Sequence, residues 1–329
     1  MGKITYNSHL DNTIVRFDAV PIYRPDNERE LQRMADTPTV FRFTNNNDHL
    51  TFNQRLFYEK NGFLIIPDLI PQRILDKCSK RYDDIISRNI DPGLITIMKD
   101  VVDRKLVNKI QNINHDQVFQ EYFEYDKLLD IVECFTGPNI MAMHSMLIAK
   151  PPDAGYGSSS HPPHQDLYYF PFRPADKVVA TWTAIEPCNR SNGCLYVIPG
   201  THGLDKLYEH NYPPGSKPNT VNKFYYGILD LPPMDDRSYI AMKPGDTVFF
   251  HPLLIHGSGI NRSNGSRKAI SCHYASSDCY YIEAKTPMET RNQNEILTAF
   301  KKRFPNTNVT YEDIWRLKSK LVRGARSSL

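Results

Sequence analysis

His161-Pro-Pro-His-Gln-Asp-Leu-Tyr-Tyr-Phe-Pro-Phe172 sets an imidazole, His164, and a carboxylate, Asp166, two residues apart in a segment that reads as extended. Residues two apart on a strand point to the same face, so both groups can grip one ion. A third ligand has to come from elsewhere in the chain. The apolar run Thr247-Val-Phe-Phe-His-Pro-Leu-Leu-Ile-His-Gly257 offers His251 and His256. Two histidines and one carboxylate on one face, with other positions left open, suit non-haem Fe(II). An H-x-D pair by itself is common by chance, so its weight depends on the sequence around it.

That sequence reads as a barrel. From residue 140 to 276 the chain is built of short Val, Ile, Tyr, Phe and Trp runs punctuated by Gly, Pro and Asn. The spacing predicts strands over 140–149, 178–185, 194–199, 239–242, 247–250, 253–256 and 267–275, the pattern of a sandwich or closed barrel. Two Pro- and Gly-containing segments, 150–160 and 203–237, interrupt the strands beside the proposed site and are expected to act as lids. The aromatic residues Tyr208, Tyr212, Phe224, Tyr225 and Tyr226 make the second one a candidate wall for an apolar substrate.

Helices are expected before and after this core. One begins over 51–58 and a second, amphipathic one covers 71–89, with Pro71 in its first turn; Gly62-Phe-Leu-Ile-Ile-Pro67 between them is a short buried strand. Leu128, Leu129, Val132 and Phe135 mark a third helix, stopped by Gly137. Two more are read over 292–304 and 311–322, the latter capped by Thr310 with Asp313 and ended by Gly324. The whole is an α+β chain with a mainly β core. It divides into an irregular leader, residues 1–50, and a single domain, 51–329.

Composition excludes several classes. Hydrophobic residues make up 40% and charged residues 23%, as in an ordinary globular protein, and the formal net charge of +3 gives no reason to expect nucleic acid. No apolar run is long enough to span a bilayer. The basic cluster from Lys301 to Arg326 reads as a solvated helix face. Six cysteines without C-x-x-C spacing read as reduced thiols. Ser327-Ser328-Leu329 is a weak variant of a C-terminal peroxisomal address, and Lys3 to Leu10 an imperfect N-terminal one; a cytoplasmic location is the alternative.

Parity narrows the ligand choice. His161 and His164 are an odd number apart, so only His164 shares a strand face with Asp166, and only one of His251 and His256 can point inward. If residues 261–266 form an even-numbered turn of a hairpin, His256 faces Ser271 or His273, and Arg267 lies on the metal face; an odd turn sends Arg267 away. A guanidinium there has a purpose, because its fork holds a carboxylate bidentately and keeps its charge. Such a ligand is 2-oxoglutarate.

These residues together resemble the phytanoyl-CoA dioxygenase family of Fe(II)- and 2-oxoglutarate-dependent oxygenases. The resemblance rests on His164-Gln-Asp-Leu-Tyr-Tyr-Phe-Pro-Phe-Arg-Pro174, Asn192-Gly-Cys-Leu-Tyr-Val-Ile-Pro-Gly-Thr-His202, Gly245-Asp-Thr-Val-Phe-Phe-His-Pro-Leu-Leu-Ile-His-Gly-Ser-Gly259 and Arg267-Lys-Ala-Ile-Ser-Cys-His273. It implies a double-stranded β-helix with flanking helices and iron held by His164, Asp166 and His256. It also implies a 2-oxoglutarate site built from Arg267, Lys109, Met146, Gln165, Trp182 and Ser258. The activity it implies is hydroxylation at the 2-position of a branched fatty acyl-CoA, using O2, supported by ascorbate, in peroxisomal α-oxidation. The presence of Asp166 favours hydroxylation over the halogenation of relatives that carry a small residue there. A hydroxylase of another acyl carrier or small metabolite, or a non-catalytic ligand-binding barrel, are the alternatives.

Overall fold

Helix starts and stops follow local side-chain chemistry. In the computed structural model, described for residues 41–212, 222, 225–231 and 237–329, α1 (Phe52–Asn61) begins at a capping box formed by Thr51 and Gln54 and ends at Gly62 in the left-handed region. After β1 (Phe63–Ile66), α2 (Gln72–Ile86) buries Ile74, Leu75, Cys78, Tyr82 and Ile85 at the expected helical spacing; Pro71 sits at the N-cap, one residue before the helix. Next come β2 (Thr96–Lys99), β3 (Val107–Gln111) and α3 (Gln117–Phe123), none of which the sequence pattern announced. Both strands are short and neither carries a clean two-residue alternation. α4 (Asp126–Thr136) stops at Gly137 as expected.

The strand region runs through β4 (Ile140–Lys150), β5 (His161–His164), β6 (Phe172–Arg173), β7 (Val178–Ala184), β8 (Leu195–Val197) and β9 (His210–Asn211). It continues with β10 (Gly227–Ile228), β11 (Ser238–Ile240), β12 (Thr247–Phe250), β13 (His256–Ser258), β14 (Arg267–Ser276) and β15 (Tyr280–Tyr281). α5 (Pro287–Arg303), α6 (Tyr311–Lys318) and β16 (Lys320–Arg323) complete the chain. α5 starts earlier than expected because Thr286 and Glu289 form a capping box around Pro287. Thr310 and Asp313 form the expected one for α6. The helix expected to reach residue 322 breaks at Ser319, where the chain turns extended and β16 pairs with the start of β4. A tertiary backbone partner there outweighs local helical preference.

Among the described residues, eight strands form one sheet, ordered β1-β12-β7-β14-β4-β3-β2 with β16 also on β4, and four form a second, β11-β8-β13-β5. Only residues 251–255 separate β12 from β13, yet the two lie in different sheets. Winding back and forth between facing sheets makes a double-stranded β-helix. The inner face of the larger sheet offers Ala180, Trp182, Ala184, Val248, Phe250 and Ala269, which pack with Leu195, Val197 and Ile240 of the smaller one. Its outer face is covered by the helices: Tyr58, Leu75, Phe119 and Phe135 belong to that cluster. The Tyr122 hydroxyl bonds Thr181 and Thr183, satisfying the polar groups that alternation turns outward.

The ends of the chain differ from expectation. Residues 41–50 form no helix or strand, but Phe43 and Leu50 are buried in the core. Residues 1–40, with the N-terminal address-like stretch, lie outside the described residues. At the other end Leu329 is fully buried, and the backbone N–H groups of Ser328 and Leu329 donate to the Ser277 carbonyl. Of the final tripeptide, Leu329 is packed into the fold while Ser327 and Ser328 are exposed. All six cysteines are free and buried, and among the described residues no helix is long and apolar enough to cross a membrane.

Candidate metal centre

Pro162 and Pro163 hold β5 extended up to His164, and there the strand ends. Asp166 belongs to a 3-10 turn, Asp166–Tyr169, so shared strand parity is not what joins it to His164. The turn itself swings the carboxylate back, placing Asp166 Oδ1 3.4 Å from His164 Nε2. His256 opens β13 directly opposite His164 in the β5–β13 ladder, with Nε2 3.7 Å from the same oxygen. One ligand atom from each of the three lies within 4.8 Å of the others, and all three residues are buried.

Neighbouring carbonyls set the tautomers. His164 Nδ1 is 2.9 Å from the Pro162 oxygen and His256 Nδ1 is 3.0 Å from that of Leu254. A carbonyl only accepts, so each Nδ1 carries the hydrogen and each Nε2 presents a lone pair. Burial would raise the Asp166 carboxyl, but His256 and His273 beside it hold it well below the usual range; burial lowers His256 to about 4. Asp166 and His256 therefore stand in the form a metal binds. His273 completes the arrangement by donating from Nε2 to Asp166 Oδ2 at 2.8 Å.

The other histidines are elsewhere. The ring of His161 stacks 3.8 Å from His164 and 4.2 Å from Tyr225. His251 is not on a strand with His256; it follows the end of β12, accepts the Leu253 N–H at Nδ1 and turns Nε2 toward Asp176, 3.6 Å away.

The triad stands in a cavity of about 300 Å³. Lys109, Met146, Trp182, Ser258 and Arg267, expected around the co-substrate, all line it. The hairpin argument for Arg267 fails in its premise, since β13 pairs with β5 and β8 while β14 pairs with β4 and β7. Arg267 reaches the cavity through the alternation of β14, whose Arg267, Ser271 and His273 share the inner face. Gln165 corrects another expectation. Fully buried, it spends its amide on the Lys206 and Leu253 carbonyls and the Tyr208 N–H, and it does not line the cavity. Lys150 is a cavity residue that the sequence pattern, which ends the strand at 149, does not announce. Extending that strand by one residue puts Lys150 on the face of Met146 and Ile148, and its Nζ donates to Ser258 Oγ at 2.8 Å. Of the aromatic wall expected from 203–237, Tyr225 lines the cavity, Tyr212 and Tyr226 pack on each other, and Phe224 lies outside the described residues.

The Arg267 guanidinium is 2% exposed, 4.9 Å above the Trp182 ring, and donates from Nη2 to the Gly193 carbonyl at 3.0 Å. Its Nε and Nη1 have no protein partner. Burial lowers its pKa, and Lys150 beside it is pushed well below the usual lysine value, mainly by burial and then by Arg267. Neither side chain has a carboxylate partner among the described residues, so the buried guanidinium leaves this end of the cavity built for an anion.

The model of the phytanoyl-CoA dioxygenase (PhyH) family matches residues 58–269, more than half of the chain. The chain belongs to the phytanoyl-CoA dioxygenase family. Human peroxisomal phytanoyl-CoA dioxygenase is 45% identical over 301 residues, covering 89% of this chain and 88% of that one. A probable phytanoyl-CoA dioxygenase of Caenorhabditis elegans is 44% identical over 310 residues, 88% and 98% of the respective chains. Among solved structures, EctD from S. alaskensis with 2-oxoglutarate and 5-hydroxyectoine matches with a TM-score of 0.57 at 15% identity, over 74% of this chain and 83% of that one. The epimerase SnoN matches at 0.54 and 15% identity over 71% and 89%. These structures share the fold of this phytanoyl-CoA dioxygenase family member. All three triad residues and Arg267 fall within the family match, whereas α5 and α6 lie beyond it.

Proposed function

We propose that the protein is an Fe(II)- and 2-oxoglutarate-dependent dioxygenase that hydroxylates carbon 2 of a branched, phytanoyl-type fatty acyl-CoA. O2 supplies one oxygen atom to the new hydroxyl and one to succinate, and CO2 leaves with the former carboxyl carbon of 2-oxoglutarate. The observation that carries the reading is a three-residue metal set sharing one cavity with an uncompensated buried guanidinium. His164, Asp166 and His256 hold the iron, which supplies the oxidising power once bound. His273 fixes the second oxygen of Asp166, leaving Oδ1 as the oxygen the carboxylate would offer a metal. Arg267 takes the far carboxylate of 2-oxoglutarate with its free Nε and Nη1 donors, and Ser258 and Lys150 face the same group. Trp182, Met146 and Lys109 wall the co-substrate, with Lys109, lowered to about 8 by burial, facing the triad. Gln165 acts as a strut that holds the turn carrying Asp166. The relatives' names support the acyl-CoA substrate and a peroxisomal location, and ascorbate is proposed as supporting reductant.

Anaerobic loading with Fe(II), followed by O2, tests the reading. Succinate release should depend on 2-oxoglutarate and rise with a 3-methyl-branched acyl-CoA, giving one 2-hydroxyacyl-CoA per succinate. Stimulation by free acids or small metabolites but not by acyl-CoAs would replace the substrate; no 2-oxoglutarate turnover with any of them would favour a non-catalytic barrel.

A further inference from the structure

The cavity has two unlike ends. One is the anion-seeking end described above. The other extends from the triad past Trp315 to a wall made by α5 and α6 on one side and the β2–β3 pair on the other. Met98, Ile296, Phe300 and Phe304 face it, and Leu94 and Leu317 flank its opening. These last two are 51% and 48% exposed.

Most polar groups on this wall are spent on the protein, the buried Trp315 indole N–H being the one left without a hydrogen-bond partner among the described residues. The Arg303 guanidinium donates to the carbonyls of Gly93, Leu94 and Ile95 and to Thr96 Oγ1, which clasps the end of α5 onto the segment leading into β2. Lys318 lays its ammonium over the Trp315 ring, 5.2 Å from the centroid, and Asn112 donates to Thr96. His115 bonds the Leu317 carbonyl. A wall whose charges are spent on the protein offers a ligand hydrocarbon contact. The contrast with Arg267, whose Nε and Nη1 donors are unspent, is what separates the two ends.

We propose that this arm, between α5–α6 and β2–β3, holds the hydrocarbon tail of the acyl substrate and sets its accepted length. The inference rests on the acyl-CoA reading above. It moves the tail away from the 203–237 segment, where Tyr208 packs on Ile198, Ile228 and Ile255, Tyr212 and Tyr226 pack on each other, and Tyr225 stacks on His161. It also places length selection on helices outside the span that matches the family model.

Graded 3-methyl acyl-CoAs of four and sixteen carbons test it with the Phe300→Trp variant, which fills the arm. For the long substrate the KM should rise about tenfold, the equivalent of roughly two displaced methylenes, while the short one is turned over as in the unaltered enzyme. The KM for 2-oxoglutarate should not move, and it reports an intact fold. Phe304→Ala gives the opposite check, lowering the KM for tails longer than the native preference. Equal losses for both lengths would mean that the arm holds the CoA portion common to them, and would overturn the proposal; so would unchanged length preference in both variants. Failure of the underlying reading looks different: the unaltered enzyme would show no acyl-CoA-stimulated succinate release at any length.

Discussion

Asp166 is gripped from both sides, with Oδ1 facing His164 and His256 and Oδ2 accepting from His273. Asp166→Ala removes a ligand without opening an apolar cavity, so hydroxylation and retained iron should vanish together while the far-UV dichroism persists. Near-normal iron per chain after desalting would show that the ion sits elsewhere. His256→Ala should do the same, but His251→Ala should keep the iron, because its ring faces Asp176 behind the barrel wall. At Arg267 the expected effect is on recognition. Arg267→Ala should raise the KM for 2-oxoglutarate by about one to two decades, the worth of a charged hydrogen bond of about 1.5 to 3 kcal/mol, with iron unaffected. Arg267→Lys keeps charge without the planar fork and should fall between the two. A KM unchanged in both variants would locate the co-substrate carboxylate at another cation, Lys150 being the nearest candidate.

Between elements, the site depends on short joints rather than on strand centres. Gly193, in the turn leading to β8, has φ +76°, and a Cβ there would lie 2.5 Å from the Gly259 oxygen and 2.9 Å from Lys150 Cδ. Its carbonyl is also the Arg267 Nη2 partner. Gly193→Ala should therefore cost about 1 to 3 kcal/mol of stability and raise the KM for 2-oxoglutarate. Gly155 is a control, since it also has positive φ, +92°, but nothing lies within 4 Å of its built Cβ. Gly155→Ala should strain the backbone and leave the KM alone. Identical KM values for the two variants would mean that crowding at Lys150 and Gly259 does not reach the co-substrate end.

For the whole molecule, buried histidines predict an acid limit to stability. Burial, and then His251 nearby, lowers His202 to about 4, against an unfolded value of about 6.5. His251 is lowered too, chiefly by burial. Between these values the unfolded chain binds protons that the folded one refuses, so stability is full above about pH 6.5 and falls as pH drops toward 4, by up to about 1.4 kcal/mol per unit for each group. Urea midpoints measured with a chelator present should decline across that window; a flat profile would contradict the buried, neutral state. Much of this molecule was legible beforehand. The β-rich middle, the capping box at Thr310, and the convergence of His164, Asp166 and His256 all follow from periodicity, cap chemistry and the resemblance of long motifs, because those signals are local or repeat within a few residues. Strand alternation also held wherever the strand was read to its true length, as Lys150 on the Met146 face shows. Which strands pair was not local information. β13 and β14 look like a hairpin in sequence and lie in different sheets, since burying both faces of the barrel outweighs the shorter connection. For the same reason only the tertiary structure decided that Lys320 starts a strand against β4, that Asp166 acts from a turn, and that α5 and α6 close over an apolar arm of the metal cavity.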